Sequence, residues 1–137
     1  MRAVIDTNVL IRALLKPFGS VAPVLGTLRH GVFTALYSSE LLQEVVEVLG
    51  RPRFRTKYGV QSQDVEALIA LLVLRGEEVI PRRKIEVCRD PKDNKVLEAA
   101  VEGRADAIVS GDEDLHVLHP FEGISVLTPR AFLAKLG

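Results

Sequence analysis

Residues 2–15, RAVIDTNVLIRALL, decide how the rest of the chain is read. Ala3, Val4 and Ile5 form an unbroken apolar run with two β-branched members, the pattern of a strand buried on both faces, and the run stops at the polar trio Asp6-Thr7-Asn8. Val9, Leu10, Ile11, Ala13, Leu14 and Leu15 then follow as a helical pattern. The stretch predicts a strand over 2–6, a tight turn and a helix over 8–15. A carboxylate closing a buried strand is either the cap of the next helix or a ligand, and at Asp6 both roles are open.

Strands and helices keep alternating outward from this unit. A helix is expected over 21–29, ended by His30-Gly31, and a strand over 32–37. Ser38-Ser39 offer hydroxyl caps to a helix carrying Leu41, Leu42, Val45, Val48 and Leu49, which Gly50 and Pro52 end. Residues 51–61 read as a loop and 62–76 as an amphipathic helix. A weak strand over 78–81, a helix over 93–101, strands over 105–109 and 124–127, and a helix opened by Pro129 complete the chain. Short apolar strands between amphipathic helices predict an α/β fold, a three-layer α/β/α sandwich around a mainly parallel sheet of four to five strands. With no repeat and no linker, residues 1–137 form one domain.

A chain of 137 residues can bury a substantial core, about 70% of its unfolded surface. Eighteen basic residues balance eighteen acidic ones, so any attraction for a polyanion must be local. The single Cys88 cannot close an intramolecular disulfide, and neither a cleavable leader nor an apolar run approaching about 20 residues is present. The expectation is a soluble cytoplasmic protein with no membrane partner.

In open α/β sheets ligands bind beyond the C-terminal strand ends. Asp6 follows the first strand, Asp112 and Asp114 follow the fourth, Asp90 and Asp93 precede a flanking helix, and Glu44 lies early in the helix after the second strand. Each has an ordinary alternative. Asp6 can cap its helix, Asp90 and Asp93 have capping-box-like spacing, and Asp112 and Asp114 suit a turn before residues 115–118. Glu44 stands out because Glu40 and Glu47 repel it along the helix and Val48 occupies the position where a cation would help. Carboxylates converging from separate segments would require a counter-ion, and an oxygen-only set favours Mg²⁺ or Mn²⁺. His30, His116 and His119 do not form a helical zinc pair, and GSVAPVLG (residues 19–26) lacks the lysine and hydroxyl ending of a phosphate loop.

The ordered set AVIDTNVLIRALL, SSELLQEVVEVLGRPRFRTKYG, DPKDNKVLEAA and ADAIVSGDEDL resembles the PIN-domain nucleases, especially toxins of toxin and antitoxin pairs, from Arg2 to about Arg130. The resemblance implies a metal-dependent ribonuclease that hydrolyses RNA phosphodiester bonds to 5′-phosphate and 3′-hydroxyl ends. It implies Asp6, Glu44, Asp93 and Asp112 as catalytic residues, with metal held by Asp6, Asp93, Asp112 and Asp114. Asn8, Ser39, Asp90 and Ser110 would support them, with Asp90 close enough in sequence to compete with Asp93 for the primary role. Many toxins carry a threonine before the fourth aspartate, where Ser110 and Gly111 stand here. The resemblance also implies a cognate antitoxin and a homodimer or higher homo-oligomer. In RPRFRTKY (residues 51–58), Arg51, Arg53, Arg55 and Lys57 interleave with aromatics and would bind RNA, against the alternative of a solvated loop; Arg82-Arg83-Lys84 is a second basic candidate.

Two other classes compete with the nuclease. One is a catalytically inactive RNA- or protein-binding module of the same fold. The other is a phosphohydrolase with an aspartyl nucleophile, for which DTN lacks the second aspartate two residues on.

Overall fold

A computed structural model describes all residues, 1–137. Strand β1 (Arg2–Ile5) leads into helix α1 (Thr7–Leu15) and α2 (Pro23–Arg29). Next come β2 (Thr34–Tyr37), α3 (Ser39–Leu49), α4 (Pro52–Lys57) and α5 (Ser62–Arg75). The chain continues with β3 (Gly76–Glu78), a 3-10 turn (Pro91–Asp93), α6 (Asn94–Glu102) and β4 (Ala107–Val109). It ends with α7 (Glu113–His116), β5 (Ser125–Leu127) and α8 (Pro129–Leu136). The five strands lie in the order β3-β2-β1-β4-β5 and every neighbouring pair is parallel.

Strand alternation builds two cores. Ala3 and Ile5, Ala35 and Tyr37, and Ala107 and Val109 point into one apolar cluster with α1, α2, α5 and α8. Val4, Leu36, Ile108 and Val126 point oppositely, into a second cluster with α6 and Leu115 of α7. Side chains of successive strand residues leave opposite faces, so continuous apolar runs fill both layers at once, as the expected three-layer sandwich requires. From β1 the chain moves one way through β2 to β3, then crosses back to β4 and β5. The crevice outside the ends of β1 and β4 is therefore the switch point at which such sheets bind ligands.

Two expectations change. Residues 51–61 contain helix α4, which the apolar periodicity does not show because none of its residues is buried; Pro52 at its first turn is the local signal. The third strand begins at Gly76 instead of residue 78, because α5 runs directly into it and Ala35 pairs with Gly76. A Cβ at position 76 would fall well inside van der Waals contact with the carbonyl oxygens of Leu72 and Ala35, which belong to backbone and cannot swing aside. Gly76→Ala is expected to lower stability by about 1–3 kcal/mol, measured by urea unfolding.

Candidate metal centre

Asp6 is buried, 6% exposed, at the junction of β1 and α1, and its backbone N–H donates to the Val109 carbonyl of β4 at 2.9 Å. It occupies the N-cap position of α1, yet its side chain makes no capping hydrogen bond. One carboxylate oxygen instead accepts a bond from the Ser110 hydroxyl at 2.7 Å. The capping alternative for this carboxylate is thereby set aside. Burial raises the Asp6 pKa above the ordinary carboxylate range, the Ser110 bond opposes the rise, and Glu44 and then Asp112 add to it.

Ser110 is fully buried and links two segments. Its hydroxyl donates to Asp6 and accepts from the Asp112 N–H at 2.9 Å, while its own N–H donates to Leu127 of β5. Its carbonyl accepts from His116 Nε2 at 2.6 Å, so that ring nitrogen carries the proton. The serine thus serves Asp6 and the Asp112 backbone with one hydroxyl. One oxygen of Asp112 caps α7 by accepting from the Asp114 N–H at 2.9 Å. Asp112 is consequently a cap, and its carboxylate also faces Asp93 in the acidic cluster.

Asp93, Asp112 and Asp114 each offer a carboxylate oxygen within 4.8 Å of the others. One oxygen of Asp93 is buried and receives no hydrogen bond, an orphaned acceptor in a place where such groups are normally satisfied. Burial first, and then the carboxylates of Asp112, Asp6 and Asp90, push Asp93 from the ordinary 3.8 up to about 7. The same negative field reaches Cys88, whose thiol is pushed up to about 11 by burial and then by Asp93, Asp112, Asp114 and Asp90, so the metal-free protein keeps it protonated at neutral pH. A hard divalent cation fits this set of clustered, partly shielded oxygens, one of them unpartnered.

Asp93, and not Asp90, belongs to the cluster with Asp112 and Asp114. Asp90 is exposed, and one of its oxygens accepts from the Lys92 N–H at 3.0 Å, closing the 3-10 turn that presents Asp93. Ser39 is also displaced from its expected role. It sits exposed at the start of α3, while Ser38 is buried and caps the helix through the Leu41 N–H. Asn8 lines a groove of about 250 Å³ together with Asp6, Arg12, Gly111 and Asp112, but Asp6 takes its hydrogen bond from Ser110 and not from Asn8. Glu44 is not without a cation: Lys95 Nζ of α6 stands 2.7 Å from its carboxylate. Local sequence spacing could not show a partner from another helix.

The basic residues divide differently from the expectation. None of Arg51, Arg53, Arg55 and Lys57 pairs with the acidic cluster or lines its groove. Arg51 bonds Glu47, Arg53 lies over Phe54, Lys57 lies over Tyr58, and Arg55 faces an apolar groove between α3 and α5. Arg82, Arg83 and Lys84 are paired with Glu102, Glu122 and Glu86. The cations that border the acids are Arg12, in the groove, and Arg89, 3.4 Å from Asp114.

A model of the PIN domain family matches residues 2–114. The chain belongs to the PIN-domain family. It is 31% identical over 115 residues to the uncharacterised protein MJ1680 of Methanocaldococcus jannaschii, covering 84% of this chain and 73% of that protein. Its fold is similar to a chain in the crystal structure of VapBC2 from Rickettsia felis bound to a promoter DNA fragment. There the TM-score is 0.60 and the identity 14%, over 93% of this chain and 98% of that one. The match to the PIN model spans every acid of the site and stops at Asp114, the last of them.

Sequence reasoning missed Lys95, Arg12 and the brace from His116 in this PIN domain. Ser38 caps α3 as its place before the helix predicts, while its burial is set by the tertiary structure. Because Asp93 binds its proton more tightly folded than unfolded, the folded chain takes up protons between the ordinary carboxylate pKa and about 7. Stability conferred by that proton is complete at low pH and is lost as pH rises through this window. The metal-free protein should melt higher at about pH 5 than at about pH 8, and Asp93→Asn should flatten that difference in a calorimetric pH series.

Proposed function

We propose that this PIN domain is a Mg²⁺- or Mn²⁺-dependent ribonuclease and the toxin of a toxin and antitoxin pair. The observation that carries the nuclease reading is the orphaned, buried Asp93 oxygen within a three-carboxylate cluster at the sheet's switch point. Asp93, Asp112 and Asp114 would hold the ion, with Asp6 reaching it through its carboxylate or a water. Once bound, a divalent ion polarises a phosphoryl oxygen and lowers the pKa of an attacking water. Ser110 keeps Asp6 and the Asp112 backbone in a fixed relation, and Glu44, paired with Lys95 through one oxygen, would orient water through the other. Arg12 and Arg89, at the margin of the acids, would hold flanking phosphates, and the basic face of α4 would take RNA further from the cleaved bond.

In-line attack of water on phosphorus, with the P–O3′ bond breaking and the 3′-oxygen leaving as a protonated hydroxyl, would give 5′-phosphate and 3′-hydroxyl ends. The antitoxin partner is inferred from the likeness to VapBC2 of Rickettsia felis, whose crystal structure holds a promoter DNA fragment. A homodimer or higher homo-oligomer is part of the same proposal, and a cytoplasmic location suits an RNA substrate; no helix is long and apolar enough to cross a membrane.

Cleavage of single-stranded RNA should require Mg²⁺ or Mn²⁺ and disappear in excess chelator, read on a sequencing gel with DNA as the parallel substrate. Equal cleavage in chelator would overturn the proposal. Asp6→Asn keeps an acceptor for Ser110 and removes a buried charge from the crowded pocket, so it should raise the melting temperature of the metal-free protein while abolishing cleavage. A variant that melts lower and cleaves normally would return Asp6 to the scaffold.

A further inference from the structure

Lys95 follows Asp93 by two residues and reaches across from α6 to α3, where its Nζ lies 2.7 Å from Glu44 Oε2. The two side chains are 21% and 27% exposed. In each of the other ion pairs of the protein at least one partner is exposed by half or more. This pair is thus the most shielded, and shielding makes its Coulomb attraction weakly screened. The start of α6 is firmly held: Val96 and Leu97 are buried, and Asn94 Oδ1 accepts from the Val87 and Cys88 N–H groups at 3.2 and 2.9 Å. The ammonium is therefore positioned by the fold and does not roam the surface.

Its position in the charge pattern is specific. Among charged groups Glu44 perturbs Asp6 most, with Asp112 next, while Asp93 feels Asp112 and then Asp6. Asp93, Asp112 and Asp114 bring carboxylate oxygens together, Asp112 shares a groove with Asp6, and Glu44 lies outside that cluster on α3, paired with Lys95. Two-ion phosphodiester sites need carboxylates facing both ions, about 3.5–4 Å apart. Here the Glu44 carboxylate is already engaged by a positive charge.

We propose that the Lys95 ammonium is a built-in cation that occupies the Glu44 side of the pocket, so that the site takes one divalent ion at Asp93, Asp112 and Asp114 where its acids would otherwise hold two. This rests on the metal-binding part of the proposed function and deepens it. Lys95 is a positioning residue acting through Glu44. An ion pair that only stabilised the fold would change melting temperature when broken and leave the number of bound ions alone.

Counting Mn²⁺ on the full chain, by electron paramagnetic resonance of the free ion and by calorimetry, separates these outcomes without reference to RNA cleavage. Wild type should bind one Mn²⁺ per chain. Lys95→Met should bind two, the second more weakly; Lys95→Arg, which keeps the charge, should bind one. Glu44→Gln combined with Lys95→Met should return the count to one, because the second ion needs the Glu44 carboxylate. Lys95→Gln carries the same expectation of two and serves if the methionine variant does not fold. Two ions on wild type, or one on a folded Lys95→Met or Lys95→Gln variant, would overturn this inference and leave the nuclease proposal standing. No ion on wild type would overturn both.

Discussion

The Ser110 hydroxyl, donating to the Asp6 carboxylate and accepting from the Asp112 N–H, is the contact on which the candidate site depends. It ties the end of β1 to the end of β4 with a single buried group that uses its one proton and an acceptor lone pair. A buried carboxylate without a donor costs the full desolvation of its charge, whereas a donor inside the low-dielectric interior returns much of it. The serine thereby makes it tolerable to bury Asp6 at all. It also fixes the segment from which Asp112 and Asp114 project, and His116 braces it from behind.

Around that contact the protein accumulates negative charge faster than it neutralises it. Lys95 meets Glu44 and Arg89 approaches Asp114, but Asp93 and Asp112 face one another with no cation between them. Burial first, and then this unneutralised charge, lift Asp93 to about 7 and Cys88 to about 11. A fold optimised for stability alone would place a lysine there or exchange an acid for an amide. Retained local destabilisation at a ligand site is a familiar compromise between stability and activity, here resolved by a divalent ion in the proposed function.

The sheet order explains why acids far apart in sequence share a crevice. Asp6 and Ser110 are 104 residues apart, yet β1 and β4 are hydrogen-bonded neighbours. Glu44 enters on the helix after β2, and Asp93 on the turn before the helix that leads into β4. Parallel pairing makes this possible, since all strands end at the same edge and every loop that follows them opens there.

The sequence by itself determined the layered α/β architecture, because apolar runs of strand length and helical periodicity are local patterns imposed by burial on one or both faces. It also nominated Asp6, Asp112 and Asp114, polar residues that follow buried strands, together with Asp90 and Asp93 before a flanking helix and Glu44 within one. Helix α4 escaped because it buries nothing and so carries no periodic stripe. Only the tertiary structure decided which hydroxyl, Ser38 or Ser39, faces inward, which of Asp90 and Asp93 joins Asp112 and Asp114, and that Glu44 meets Lys95. These outcomes depend on distances between segments separated by loops, and no spacing along one helix or strand encodes the side chain that another element brings beside it.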